Sequence, residues 1–179
     1  MQKNTEKREK GIEAAEAWCR GLKIPFPITM QSCSSLKTEL ENVLHSNPIL
    51  IGTTVEAMLG VRLGLIDRAH DLVQDASSGL EAYIHGMIHR LEGDYWNANY
   101  WFRSAGKSIV SQVASVTQEK GLLESFDPSH LVERVERLQK SGKSRANLDV
   151  EASQERNEIS EHLGHEWWAV WSLVVFALP

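Results

Sequence analysis

The sequence predicts an all-α protein made of stacked antiparallel helical hairpins, either a short solenoid or a compact helical bundle. Three observations lead there. Apolar residues recur at helical spacing along most of the chain, and no segment shows the clean alternation of a half-buried strand. The turn glycines Gly64 and Gly93 are followed by matching patterns of small and large apolar residues. Thr53-x-x-Glu56 and Ser78-x-x-Glu81 have the spacing of capping boxes, and Asp127-Pro128 has that of a helix start. About seven or eight helices and no sheet follow from this reading.

The first ten residues, MQKNTEKREK, are charged and lack an apolar core, so residues 1–10 read as a flexible tail or as the solvated start of a helix. Residues 11–22 favour helix by propensity. Pro25 and Pro27 then make 24–30 an extended connector. Leu36, Leu40, Val43 and Leu44 repeat at helical spacing until Asn47-Pro48 ends the element. Four helices are expected over 50–62, 65–77, 80–92 and 95–106, paired as two hairpins. After Asp127-Pro128, the residues Leu131, Val135 and Leu138 form one stripe. Residues 140–153 carry turn formers and mixed charge and read as a flexible loop. A last helix from about Glu155 places Ile159, Leu163, Trp167, Val170, Trp171 and Val174 on one face. Together these make residues 1–179 a single helical domain.

Charge and composition restrict the function classes. Hydrophobic residues make up 42% of the chain and charged residues 24%, an ordinary globular balance. The net charge of −5 opposes charge-driven binding to nucleic acid or to an anionic membrane. The apolar C-terminal run WWAVWSLVVFALP is shorter than the roughly 20 residues a bilayer span needs and reads as a buried helix. Cys19 and Cys33 have neither metal-ligand nor redox spacing, which suits reduced thiols and a cytoplasmic location.

An internal repeat supports the hairpin reading. At an offset of 29 residues, Gly64 falls on Gly93, Ile66 on Tyr95, Ala69 on Ala98, Val73 on Phe102 and Ala76 on Ala105, with Ala57 on Gly86 and Met58 on Met87 upstream. Small residues let paired helices approach closely, large apolar ones fill the space between them, and a turn glycine can take positive φ. Within 81–108, Gly86, Gly93, Tyr95, Ala98, Phe102 and Ala105 stand where the tetratricopeptide repeat places such residues, and 52–79 matches through Ala57, Gly64, Ala69 and Ala76. The region about 52–108 therefore resembles that family, with an offset shorter than its usual period of about 34 residues. The signature His89-Arg90-x-Glu92-Gly93-Asp94-Tyr95-x-Asn97-Ala98-x-Tyr100-Trp101 also resembles one in a group of uncharacterised bacterial and fungal proteins, a likeness that implies no function.

The tetratricopeptide resemblance implies a protein- or peptide-binding module whose first helices line a concave face. Carried over residue by residue, that face holds Thr54, Met58 and Arg62 in the first unit and Tyr83, Met87 and Arg90 in the second. Tyr83 and Met87 stand where the family's carboxylate clamp would need other side chains, which argues against recognition of a chain terminus.

The alternative is chemical. His85 and His89 are four apart on one helix face, the spacing at which two imidazoles can share a transition metal, with Asp94 or Glu92 beside them. His70, His162 and His165 are further candidates. With Arg90, Glu92 and Asp94 this set would make a metal-dependent or acid–base enzyme. Against it, HGMIH lacks the adjacent Glu of a zinc-protease helix, and the simpler expectation is two structural histidines packed between helices, with no metal and no cofactor. Asp94 also reads as the cap of the next helix, Glu92 as solvated or paired with Arg90 or Arg103, and Glu158–His162 and Glu161–His165 as four-apart surface pairs. Tyr95, Trp96, Tyr100, Trp101 and Phe102 read as core and helix interface rather than a base-stacking platform. There is no phosphate-binding glycine loop, and Ser111 and the other serines have no recognisable nucleophile context. Partner identity and oligomeric state stay open.

Overall fold

A computed structural model describes residues 2–22, 26–27, 34–119, 126–141 and 150–177. Eight α-helices and a short 3-10 turn account for the regular structure, with no strand among the described residues: α1 Gln2–Gly21, α2 Ser34–Ser46, the 3-10 turn Pro48–Leu50, α3 Thr54–Leu63, α4 Ile66–Val73, α5 Gly79–Glu92, α6 Tyr95–Glu119, α7 Pro128–Lys140 and α8 Val150–Ala177. Residues 2–10 form the largely exposed first half of α1. Cys33, most of the 24–30 connector and most of the 140–153 loop lie outside the described residues.

The helix boundaries follow local chemistry. Helix α3 begins later than expected because Ile51 and Thr53 are extended and Gly52 holds a left-handed φ of 76°, so the 51–53 stretch cannot be helical. Thr53 then caps Glu56 N–H, but the Glu56 carboxylate accepts from Gly52 N–H at 2.6 Å rather than completing a box on Thr53. The second site is a full capping box: Ser78 and Glu81 satisfy each other's backbone N–H groups. Helix α4 stops at Val73, short of the expected 77, and residues Gln74 to Ser78 make the turn into α5. Helix α6 kinks at Gly106, where φ is 82° and ψ 156°, and then runs on to Glu119. It thus extends past the expected end at 106, where Ile109, Val113 and Val116 give it an apolar stripe on the core. At α7, Asp127 accepts from Ser129 N–H at 2.8 Å with Pro128 in the first turn, and Leu131, Val135 and Leu138 are buried.

Helix α3 pairs with α4, and α5 with α6, across two-residue turns in which Gly64 (φ 70°) and Gly93 (φ 85°) take the left-handed cap. The small residues sit where backbones meet. A Cβ on Gly60 would lie 2.9 Å from the Ala69 methyl, and one on Gly86 2.9 Å from the Phe102 ring. One on Gly79 would lie 2.6 Å from the Ala105 carbonyl oxygen. Ala98 is fully buried.

Helix α8 organises the rest. It packs on α3, α5, α6 and α7. Its face Ile159, Leu163, Trp167, Val170, Trp171 and Val174 is buried as its periodicity predicts. Trp167 stacks on Trp171 at 4.9 Å between centroids. Helix α1 closes over this row: Arg20 lies 4.3 Å above the Trp168 ring, and Trp171 Nε1 donates to Glu16 at 3.3 Å. No helix among the described residues is long and apolar enough to cross a membrane.

Candidate functional site

The two sets of residues singled out in the sequence fall on different parts of the molecule. The first set lies on α3 and α5. Met58, Arg62, Tyr83, Met87 and Arg90 are all buried, and Thr54 is half-buried at one end. Helix α8 meets Tyr83 and Arg90 through Glu166 and the Met58 carbonyl through Trp167, while Arg62 lies by Phe26. Glu166, fully buried, carries the polar part of the contact. Its carboxylate accepts from the Tyr83 hydroxyl at 2.9 Å and from Arg90 Nη1 at 3.2 Å, and forms a second, closer bond with Arg90 Nη2. The Phe102 ring lies 5.5 Å from the Arg90 guanidinium carbon. Burial, with the Glu166 charge beside it, holds the Tyr83 hydroxyl well above the ordinary tyrosine range, so it stays a donor. Trp167 Nε1 donates to the Met58 carbonyl at 2.8 Å. Arg62 lies near the Phe26 ring, 5.3 Å away.

An open cleft of about 410 Å³ lies between the last turn of α8 (Leu173, Val174, Phe176, Ala177) and Thr54, Leu80, Glu81, Ile109 and Gln112. Phe176 at its rim is 90% exposed.

The second set does not stay together. Arg90 points to Glu166, and Asp94 caps α6, accepting from Asn97 N–H at 3.1 Å and from Asn97 Nδ2 at 2.7 Å. Glu92 pairs neither with Arg90 nor with Arg103 but meets His89 Nδ1 at 2.7 Å. What the fold adds is His70. It stands on α4, which packs against α5, and its Nε2 is 3.0 Å from His85 Nε2. His70, His85 and His89 bring one ligand nitrogen each within 4.8 Å of one another. Asp94 is thus not a member of the set, and His70 takes its place.

The three rings are held from both sides. His85, buried, stacks between Trp101 at 4.0 Å and His89 at 4.7 Å, and meets His70 edge-on at 4.7 Å. Burial, and then the nearness of His89 and His70, push the His85 imidazole down to about 4, so it is neutral at physiological pH. The Val73 backbone approaches the ring and opposes that shift, yet the buried Nδ1 has no hydrogen bond of good geometry among the described residues. His70 and His89 are half-buried.

The other aromatic and imidazole groups also differ from expectation. Phe102 is core, and Tyr95 and Trp101 are half-buried, but Trp96 and Tyr100 are 72% and 46% exposed, because positions 96 and 100 lie on the outer side of α6. His162 does not pair with Glu158. Its Nδ1 meets Arg134 at 2.6 Å, while Arg134 lies 3.5 Å from Glu158. Burial, then the Arg134 charge, lowers the His162 pKa below the ordinary histidine value.

Sequence reasoning had no local signal for the Glu166 contacts, which join residues 76 and 83 positions apart. His70 had a partial one, since stacked hairpins place the second helix of one pair against the first helix of the next. Comparison of the chain with known protein families, with curated proteins and with solved structures finds no match.

Proposed function

We propose that the chain is a cytoplasmic protein-binding module, tetratricopeptide-like in its α3/α4 and α5/α6 pairs, whose α3/α5 groove recognises an amphipathic helix and rests with α8 as its resident ligand. One observation carries this reading: α8 is held by a side-chain code as well as by apolar burial. Glu166 engages Tyr83 and Arg90, and the adjacent Trp167 engages the Met58 carbonyl. That is how a groove reads a helical ligand, with apolar anchors giving affinity and a few placed polar groups giving register. A partner of matching chemistry presents an acidic residue next to a tryptophan on an apolar helix face and competes with α8. The cleft beside Phe176 is where such a partner gains its first contacts.

The test uses a fluorescent peptide spanning residues 153–177 and the full-length chain. Glu166→Gln combined with Trp167→Phe weakens the resident helix by removing the carboxylate charge and the indole N–H while keeping an aromatic ring at 167. This variant should capture the peptide at least tenfold more tightly than the parent chain. A peptide carrying the same two changes should bind less well. Absence of capture by the folded variant would make α8 a fixed part of the core and overturn the reading.

A further inference from the structure

We propose that His70, His85 and His89 form a binding site for one divalent transition-metal ion of the zinc class. This site is separate from the α3/α5 groove and does not depend on how that groove is used.

The donor set fits such an ion. Imidazole nitrogens are borderline ligands that suit zinc, copper, nickel and cobalt, whereas calcium and magnesium take oxygen. Three histidines are also a known complement for a four-coordinate zinc ion whose last position is taken by water. The nitrogens come from two elements, one from α4 and two from α5, so an ion would clasp one hairpin to the next.

The geometry is close to what coordination needs. Two nitrogens at about 2.05 Å from a tetrahedral ion are about 3.3 Å apart. His70 Nε2 and His85 Nε2 already stand at 3.0 Å. The widest spacing in the set is no more than 4.8 Å. Small adjustments of the His70 and His89 rings, both half-buried and reachable from solvent, close it.

A second, independent observation is the support around the rings. A metal-bound histidine normally gives its other ring nitrogen to a carboxylate, which fixes its orientation and raises its basicity. His89 has this arrangement: Nδ1 faces the Glu92 carboxylate at 2.7 Å, leaving Nε2 as the free ligand nitrogen. His85 is fixed between the Trp101 and His89 rings. A purely structural role explains less. A single His70–His85 hydrogen bond does not account for the carboxylate seated behind His89. It also gives no reason for a third imidazole stacked on the pair.

The experiment is a titration of the chelator-treated, full-length chain with Co²⁺ followed by Zn²⁺. The expected result is one equivalent bound, with the intense visible absorption of four-coordinate Co²⁺, and its displacement by Zn²⁺. Thermal unfolding should rise with metal concentration, because the ion binds the folded state. His70→Gln and His89→Gln, at half-buried positions that leave the fold intact, should each weaken binding at least tenfold. Glu92→Gln, which touches only the supporting shell, should weaken it about 10–100-fold. His165→Gln should leave it unchanged. Zn²⁺ affinity of millimolar strength or weaker, or affinity indifferent to His70→Gln and His89→Gln, would overturn the assignment, as would loss of the site in His165→Gln.

Discussion

The Tyr83 hydroxyl donates a 2.9 Å hydrogen bond to Glu166 Oε1 across the interface between α5 and α8, in a site where both side chains are fully buried. Arg90 neutralises the same carboxylate from two turns further along α5. A buried ion pair adds little net stability when both partners are present, but removing one strands the other in a medium that cannot solvate it. Glu166→Ala should therefore cost about 3–5 kcal/mol. Tyr83→Phe removes one of the carboxylate's donors but leaves Arg90 on it, and should cost about 1.5–3 kcal/mol. Urea denaturation of the two variants checks the order. Equal effects would mean that the buried arginine charge is not what makes the site costly to break.

The close contacts at the hairpins give a second test. Gly86→Ala places a methyl 2.9 Å from the Phe102 ring, which is wedged in the core, and should destabilise by about 1–3 kcal/mol. Ala98→Leu, at a fully buried position, should cost a similar amount. Gly21→Ala meets nothing within 4 Å and should be neutral or stabilising by less than about 1 kcal/mol. Denaturation midpoints that move alike in all three would contradict the placement of the small residues.

Acid should erase the capping box of α5. Burial is the largest single influence and raises the Glu81 pKa, but the N–H and hydroxyl groups of Ser77 and Ser78 together outweigh it and hold the carboxyl below its ordinary value. A carboxyl depressed on folding contributes stability that is complete above its unfolded pKa of about 4.3 and fades as pH falls through the lower folded value. Glu81→Gln should thus be destabilising at pH 7, and the gap from the parent chain should close in that acid window. A gap of constant size from pH 7 to pH 2.5 would show that the charge is not involved.

Cys19 should be an inert thiol. Burial pushes its pKa up to about 12, against the pull of the Arg62 charge. In a Cys33→Ser chain, a thiol reagent should label Cys19 only as fast as the protein opens. The sign of the linked stability follows from the raised value. The protonated form is favoured on folding, so this contribution is complete below the unfolded pKa of about 8.5 and is lost as pH rises towards 12. Rapid labelling under native conditions would place the thiol at the surface.

What the sequence determined by itself is the local grammar. Helix starts at Ser78 and Asp127, the turn glycines at 64 and 93, and the buried side of α8 each depend on residues within a few positions of one another, and spacing alone exposes them. The all-α class follows from the same periodicity. Even there, competing backbone effects moved boundaries: Gly52 delayed α3, and α6 passed through its Gly106 kink instead of ending. Only the tertiary structure decided what meets across the chain. It set Glu166 on Tyr83 and Arg90, laid Trp167 on the Met58 carbonyl 109 residues earlier, and brought His70 rather than Asp94 to His85 and His89. The reason is that a helix face announces that it will be buried but not what will cover it. Apolar burial is non-directional, so the choice among possible neighbours rests on how all the helices close together. The few buried polar groups that must then be paired fix the register.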